Sequence, residues 1–303
     1  MNRKDVCFIA AKYKRDYTFE AIKNAGFKIE IPYKDKNLFL RLLREFWFRL
    51  HLPFKSFFFN KKAICEKKII VVYDPLITGA YLEWLKQKNP EAIIYLQYVN
   101  RADTTIFPPN VPPGIRLVSY DKCDCQKYNM QFISPSYFDT YSFDGPSFQK
   151  SIDVLFLGRD KGRLNDLLDI EKKLNSLGLI THFHICANRK FLRFKNRHYK
   201  RVLDYDDYLS LLKQSKSLLN VARRDQNAVT QRELECVFDG IKCITTNERI
   251  VDFKLYDESR FFVFNGSNYS ELLDFMRKPF KPISKVDLDE FRFINVFDKT
   301  YLD

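Results

Sequence analysis

Short, unbroken apolar runs recur along this chain, each followed by a polar turn and then by residues at helical spacing. Lys68–Tyr73 (KIIVVY) and Ser151–Leu157 (SIDVLFL) are the clearest. Runs without polar alternation suit strands covered on both faces, which means a parallel sheet with helices on each side. In the first half, Asp5–Ala11 reads as a strand and Tyr17–Asn24 as a helix closed by Gly26. Phe27–Ile31 is the next strand, then Lys68–Tyr73, a helix over Tyr81–Lys88, and strands at Glu91–Tyr95 and Arg116–Ser119. The pattern stops at Phe132–Pro146, a stretch rich in Pro, Ser, Tyr and Asp with no periodicity. It then restarts. Ser151–Leu157 leads a helix over Leu164–Leu177, a strand over Leu179–Ala187 and a helix over Asp204–Ser215. A strand over Ser217–Val221, a helix over Gln231–Phe238 and a strand over Cys243–Thr246 follow, with a last helix at Asp287–Asp298.

Two βα-alternating halves in 303 residues predict an α/β protein of two Rossmann-like, doubly wound domains facing a cleft. The expected domains are 1–140 and 147–285, with a C-terminal helix in 286–303 packing back across the cleft. Hydrophobic residues are 46% of the chain, enough for two cores, so a disordered tail is excluded.

The formal net charge is +13, which asks for an anionic partner: nucleic acid, a phosphorylated small molecule or an anionic membrane. No signal-peptide pattern opens the chain, and no stretch is long and charge-free enough to span a bilayer. The expected location is therefore cytoplasmic. The seven cysteines are scattered and form no zinc-like set.

Ligands of open parallel sheets bind beyond the carboxyl ends of the strands. After Leu157 that rule meets Gly158, Arg159, Lys161, Gly162 and Arg163. Glycines let backbone N–H groups approach a phosphate, and Arg and Lys add charge-assisted bonds. The competing reading is a solvated basic turn. A second polar stretch holds Arg223, Arg224, Asp225, Gln226, Asn227, Thr230, Arg232 and Glu235, and runs into the helix Gln231–Phe238. A helix N-terminus there would offer orphan N–H groups to phosphate. Glu235 is either a ribose ligand or a helical carboxylate paired to an arginine.

Glu235–Asn247 (ECVFDGIKCITTN) resembles the E-A-L-x-x-G-x-x-V-I-x-T-N stretch of nucleotide-sugar glycosyltransferases with the GT-B fold. The longer run Gln226–Asn247 is similar to a bacterial lipopolysaccharide or capsule biosynthesis family related to CgeB-type proteins, with its Q-x-G-x-T-x-R-x-x-E-A-L pattern. Gln226, Thr230, Arg232 and Glu235 match, while Ala228 stands where glycine is usual and Cys236-Val237 replaces Ala-Leu. Leu117–Ile133 loosely resembles the end of that family's N-terminal domain.

The resemblance implies a donor nucleotide sugar in the C-terminal domain and a saccharide or lipid-linked acceptor in the N-terminal one. No metal or other cofactor is expected. The expected donor set joins Gly158, Arg159, Lys161, Arg163 and Arg223 of the strand-end loops with the pattern-matching Gln226, Thr230, Arg232 and Glu235. Many retaining GT-B enzymes carry two glutamates eight positions apart. Asn227 occupies the first of those places, which favours inversion of the anomeric centre. Inversion needs a base for the acceptor hydroxyl, and the N-terminal strand ends offer Asp16, Asp74 and Asp103. His182 and His184 share one face of a strand, as core residues or nucleotide neighbours. Asp204-Tyr205-Asp206 spells the metal–diphosphate D-x-D of another glycosyltransferase fold, but it reads better as the start of a helix.

Residues 37–60 interleave eight aromatic residues with Arg41, Arg44, Arg49 and Lys55 against the single acid Glu45. An amphipathic helix over Leu40–Leu50 would suit an anionic membrane surface, which makes peripheral attachment an expected contact. The competing reading packs it into the core with its arginine stems outward. No RRM, KH, zinc-finger or helix-turn-helix signature appears, so nucleic acid is not an expected partner. A basic nucleic-acid-binding protein and a catalytically silent nucleotide-sugar fold stand as alternatives.

Overall fold

The structure is a computed structural model that describes residues 2–11, 17–34, 37–63, 67–138, 149–189, 194, 196–222 and 228–302. The chain divides into two compact units, Met1–Ser134 with Ile294–Asp303, and Pro135–Phe293. Both are α/β, and every strand pairing inside their sheets is parallel among the described residues.

The first unit runs β1 (Val6–Ile9), α1 (Tyr17–Asn24), β2 (Lys28–Glu30), α2 (Leu38–Arg49), β3 (Ile69–Tyr73), α3 (Gly79–Lys88), β4 (Ile93–Tyr98), β5 (Arg116–Ser119), α4 (Lys122–Tyr128) and β6 (Gln131–Phe132). Its sheet has the order β2-β1-β3-β4-β5-β6. Every residue of β1 and β3 is buried, as their uninterrupted apolar runs require of strands with helices on both sides. The core over this sheet gathers Ile70, Val72, Ile94 and Leu96 with Tyr33, Phe59, Tyr81 and Tyr98. Asn37 caps α2, its Oδ1 accepting from the Leu40 N–H at 2.9 Å, so the helix starts two residues before the predicted Leu40. The buried side chain of α2 is Arg44, whose guanidinium lies 3.9 Å over the Tyr33 ring.

The second unit runs β7 (Ile152–Arg159), α5 (Leu164–Ser176), β8 (Thr181–Cys186), α6 (Tyr205–Lys213), β9 (Ser215–Asn220), α7 (Gln231–Phe238), β10 (Lys242–Thr245), β11 (Phe261–Val263), α8 (Tyr269–Arg277) and α9 (Lys285–Asp289). Its sheet order is β11-β10-β9-β7-β8. In both sheets the first strand lies between the second and the third, so the chain reverses direction across the sheet beside β1 and beside β7. Such a switch point opens a crevice at the carboxyl ends of the two central strands.

The predicted final helix over Asp287–Asp298 is two helices, α9 and α10 (Phe293–Tyr301). The break has a backbone cause. The Tyr137 N–H donates to the Phe291 carbonyl at 2.7 Å, and the Phe293 N–H donates to the Tyr137 carbonyl at 2.8 Å. Those groups pair with Tyr137 across an isolated bridge instead of along a helix. Residues 294–303 belong to the first unit. There Phe297 packs 4.5 Å from Phe27, Tyr301 donates to Gln97 at 2.8 Å, and Arg3 pairs with Asp298 at 2.8 Å.

Candidate functional site

A cavity of about 480 Å³ opens at the carboxyl ends of β7, β8 and β9, beside the switch point of the second sheet. Its lining is part apolar, with Phe156, Leu157, Cys186, Val202, Leu203 and Val221, and part cationic and polar, with Arg159, Lys161, Arg163 and Arg232 beside Asn220 and Thr230. A pocket with apolar side chains and convergent cations suits a ligand that is part flat ring and part anion.

The strand β7 continues through Gly158 and Arg159, which pair with Ile185 and Cys186 of β8. Gly158 is therefore a strand residue, not a loop residue. Its lack of a side chain serves another end: a Cβ built there would lie 3.3 Å from both Nη1 and Nη2 of Arg232. The glycine is the seat of that guanidinium. No hydrogen bond or ion pair with a described residue engages the Arg232 guanidinium. It is presented to the cavity as an open fork of donors.

The expected cradle of loop N–H groups is not what the fold builds. The Lys161 N–H donates to Asn188 Oδ1 at 3.1 Å and the Gly162 N–H to Asp160 Oδ2 at 3.3 Å, so both are used inside the protein. Gly162 takes φ +83°, a conformation that favours glycine in this tight turn. Arg163 donates to the Val221 and Ala222 carbonyls at 3.1 and 3.0 Å. It ties the end of β9 to the β7–α5 turn while lining the cavity. Arg159 donates to the Asn188 carbonyl.

Open N–H groups come from α7. Thr230 is its N-cap: Thr230 Oγ1 accepts from the Glu233 N–H at 3.3 Å, and Glu233 Oε2 accepts from the Thr230 N–H at 2.6 Å. This reciprocal capping box fixes the helix start beside Gln231 and Arg232. Glu233 is fully buried and also accepts from the Thr245 hydroxyl at 2.8 Å. The T-x-x-E signature at Thr230–Glu233 was readable in the sequence, and Glu233 is the supporting residue that the sequence reading missed.

Glu235 does not line the cavity. Its carboxylate is buried and accepts from the Tyr205 hydroxyl at 2.5 Å and from the Tyr208 hydroxyl. Burial pushes its pKa up to about 7, opposed by the two tyrosines and Arg232. It locks α6 to α7 instead of presenting oxygen to a ribose. Arg223 and Gln226 lie outside the described residues.

His182 and His184 stack with ring centroids 6.3 Å apart, but neither lines the cavity. His184 Nε2 lies 2.6 Å from the Arg201 carbonyl, so it is the donor. Asp204 stands at the N-cap of α6 with Asp206 in its first turn. Among the described residues no group of three or more His, Cys, Asp or Glu side chains is placed to hold a metal ion.

Of the three candidate bases, Asp16 lies outside the described residues. Asp74 follows β3 and is fully buried. Its Oδ1 accepts from the Val99 N–H at 2.6 Å, and burial raises its pKa to about 6. Asp103 pairs with Arg101 at 2.6 Å on the surface. Of the two described carboxylates, Asp74 is covered and Asp103 is exposed but held by Arg101.

The chain matches no protein-family model and no curated protein by sequence. Solved structures do match its fold. A glycosyltransferase from Rickettsia africae ESF-5 superposes with a TM-score of 0.53 at 11% identity, covering 98% of this chain and 96% of that one. A putative UDP-N-acetylglucosamine 2-epimerase from Listeria monocytogenes gives 0.51 at 10% identity, covering 97% and 93%. The fold is of the GT-B type. At such identities the likeness describes the backbone alone, and any function must be argued from the site.

Proposed function

We propose that this protein is a glycosyltransferase that takes a sugar from a nucleotide-sugar donor bound in the second unit. The observation that carries the reading is the cavity beside β7 and β9. Its lining joins the Arg232 fork, Arg159, Lys161 and the α7 N-terminus with apolar side chains. In this reading the diphosphate meets the cations and the α7 N–H groups, and the base lies against Val202, Leu203 and Val221. Cations and a helix terminus stabilise the charge that develops on a leaving nucleoside diphosphate, so the proposed chemistry needs no metal. The acceptor, a saccharide or a lipid-linked saccharide of a bacterial surface polysaccharide such as lipopolysaccharide or capsule, is assigned to the first unit. Inversion is part of the proposal, because Asn227 stands where a first acid would be and Glu235 is enclosed by two tyrosines.

The test is a thermal-shift screen against UDP, GDP, CMP, dTDP and their sugars, followed by a transfer assay with whichever family binds. A ligand selective for the folded state raises the melting temperature by mass action. A rise with one nucleotide family and a new glycoside of inverted configuration support the proposal. Return of an isomerised donor sugar would replace transfer with epimerisation. A response to oligonucleotides alone would favour the nucleic-acid alternative.

A further inference from the structure

The helix α2 is built inside out. Side chains advance by about 100° per residue around a helix. Leu38, Phe39, Leu42, Leu43, Phe46 and Leu50 therefore fall within an arc of roughly 140°, and all are exposed. Arg44 projects from the opposite side and is 3% exposed, with its guanidinium over Tyr33. Leu40, Trp47 and Phe48 share that inward half, and Phe48 packs at 5.9 Å from Phe58 and 6.0 Å from Tyr33. The inner contact is thus already made, by aromatic rings and a stacked arginine. Rolling the helix over to bury the leucines would break the Arg44–Tyr33 stack and take Phe48 out of the core.

The loop after α2 adds two more exposed rings, Phe54 at 81% and Phe57 at 73%. With Phe39 at 71% and Phe46 at 58%, these four phenylalanines alone leave roughly 400–700 Å² of ring surface in water. That sum is comparable to the largest apolar patch of an ordinary soluble monomer, about 300–600 Å². Cations accompany the patch. Residues 37–62 hold six Lys and Arg against one acid, Glu45, which pairs with Arg41 at 2.9 Å. Arg49 is exposed and falls inside the arc, between Leu38 and Leu42, and the Lys34 ammonium lies 5.8 Å from the Phe57 ring. No helix among the described residues is long and apolar enough to cross a membrane.

We propose that the exposed face of α2, with Phe54 and Phe57, docks flat on an anionic phospholipid surface. Leucine and phenylalanine side chains enter the acyl boundary while Arg41, Arg49, Lys34 and Lys55 meet the headgroup phosphates. Charge selects this occupant: cations within and beside the apolar arc complement a negatively charged interface, whereas they would repel a second copy of this face placed against it. The inference stands whether or not the protein transfers sugar.

The experiment is flotation of the purified full chain with phosphatidylcholine vesicles, with and without phosphatidylglycerol, at low and high salt. The wild type is expected to float with the phosphatidylglycerol vesicles, and less so as salt rises. Phe46→Glu should lower partitioning roughly tenfold or more, and Arg49→Gln about fivefold, one basic contact's share. Both positions are exposed, so unfolding midpoint and nucleotide response should match wild type in the same preparations. Failure of the wild type to float with anionic vesicles overturns the proposal. So does equal flotation of Phe46→Glu, or of the wild type with neutral vesicles at any salt. A concentration-dependent dimer that Phe46→Glu dissolves, with no flotation, would assign the face to a second copy instead.

Discussion

Replacing Gly158 with alanine puts the smallest side chain on the seat of Arg232. The new Cβ would meet both terminal guanidinium nitrogens at 3.3 Å, and Phe156 Cζ only at an ordinary 3.7 Å. Gly158 lies in β7 without a positive φ, so alanine fits the backbone and narrows the unfolded ensemble, worth about 0.4–1 kcal/mol of stability. The substitution should leave the fold as stable or slightly more so. Its cost falls on the guanidinium, which must shift by a few tenths of an ångström. A charge-assisted hydrogen bond contributes about 1.5–3 kcal/mol, so Arg232→Ala should weaken a nucleoside diphosphate roughly 10- to 150-fold. A displaced but intact fork should lose about 1 kcal/mol, or roughly fivefold. The assay is calorimetric titration of wild type, Gly158→Ala, Arg232→Ala and the double variant. Since the added methyl acts through Arg232, Gly158→Ala should do nothing in the Arg232→Ala background. An equal loss in both backgrounds would refute the reasoning.

Thr230→Ala removes the N-cap of α7 and should cost about 1 kcal/mol in urea unfolding, together with a weaker nucleotide response. Burial raises Glu235 from 4.5 to about 7, so between those values the folded protein holds a proton that the unfolded chain releases. Stability contributed by this group is complete below pH 4.5 and is lost as pH rises through 7, by about 3 kcal/mol at most. Asp74 and Asp239, each raised to about 6, act in the same direction. Glu235→Gln should flatten the upper part of that slope in unfolding curves measured across pH, and an unchanged slope would remove Glu235 from the account. Asp74→Asn is expected to keep turnover within a few-fold, because the carboxylate is covered and engaged with the Val99 N–H. A hundredfold fall in kcat with unchanged nucleotide affinity would make Asp74 the base.

Much of the fold was legible because parallel strands and their helices carry distinct periods. Tyr17–Asn24, Arg116–Ser119 and Gln231–Phe238 have the same bounds in sequence and structure. What stayed hidden depends on partners distant in sequence. β11 is three residues long and gains its meaning only beside β10. Gly158 reads as a loop glycine until Ile185 is seen opposite it. Glu235 sits one turn into α7 and was expected to face a ligand, but the face it presents is set by Tyr205 and Tyr208 of α6. The cations at 159, 161, 163 and 232 were readable as a group from the rule that strand ends bind ligands, and the fold brings all four to one cavity. The aromatic run after Asn37 was readable as a helix, but only the structure shows Arg44 inside and Leu38, Leu42, Leu43 and Leu50 out.

The central claim is that the cavity beside β7 and β9 holds a nucleoside diphosphate through Arg232. The most direct measurement is equilibrium titration of the wild type and of Arg232→Ala with UDP, GDP and dTDP. One of these should bind the wild type saturably, with affinity falling at least about tenfold in the variant while its unfolding midpoint is unchanged. No binding by any of them, or the same affinity in a folded Arg232→Ala protein, would contradict it.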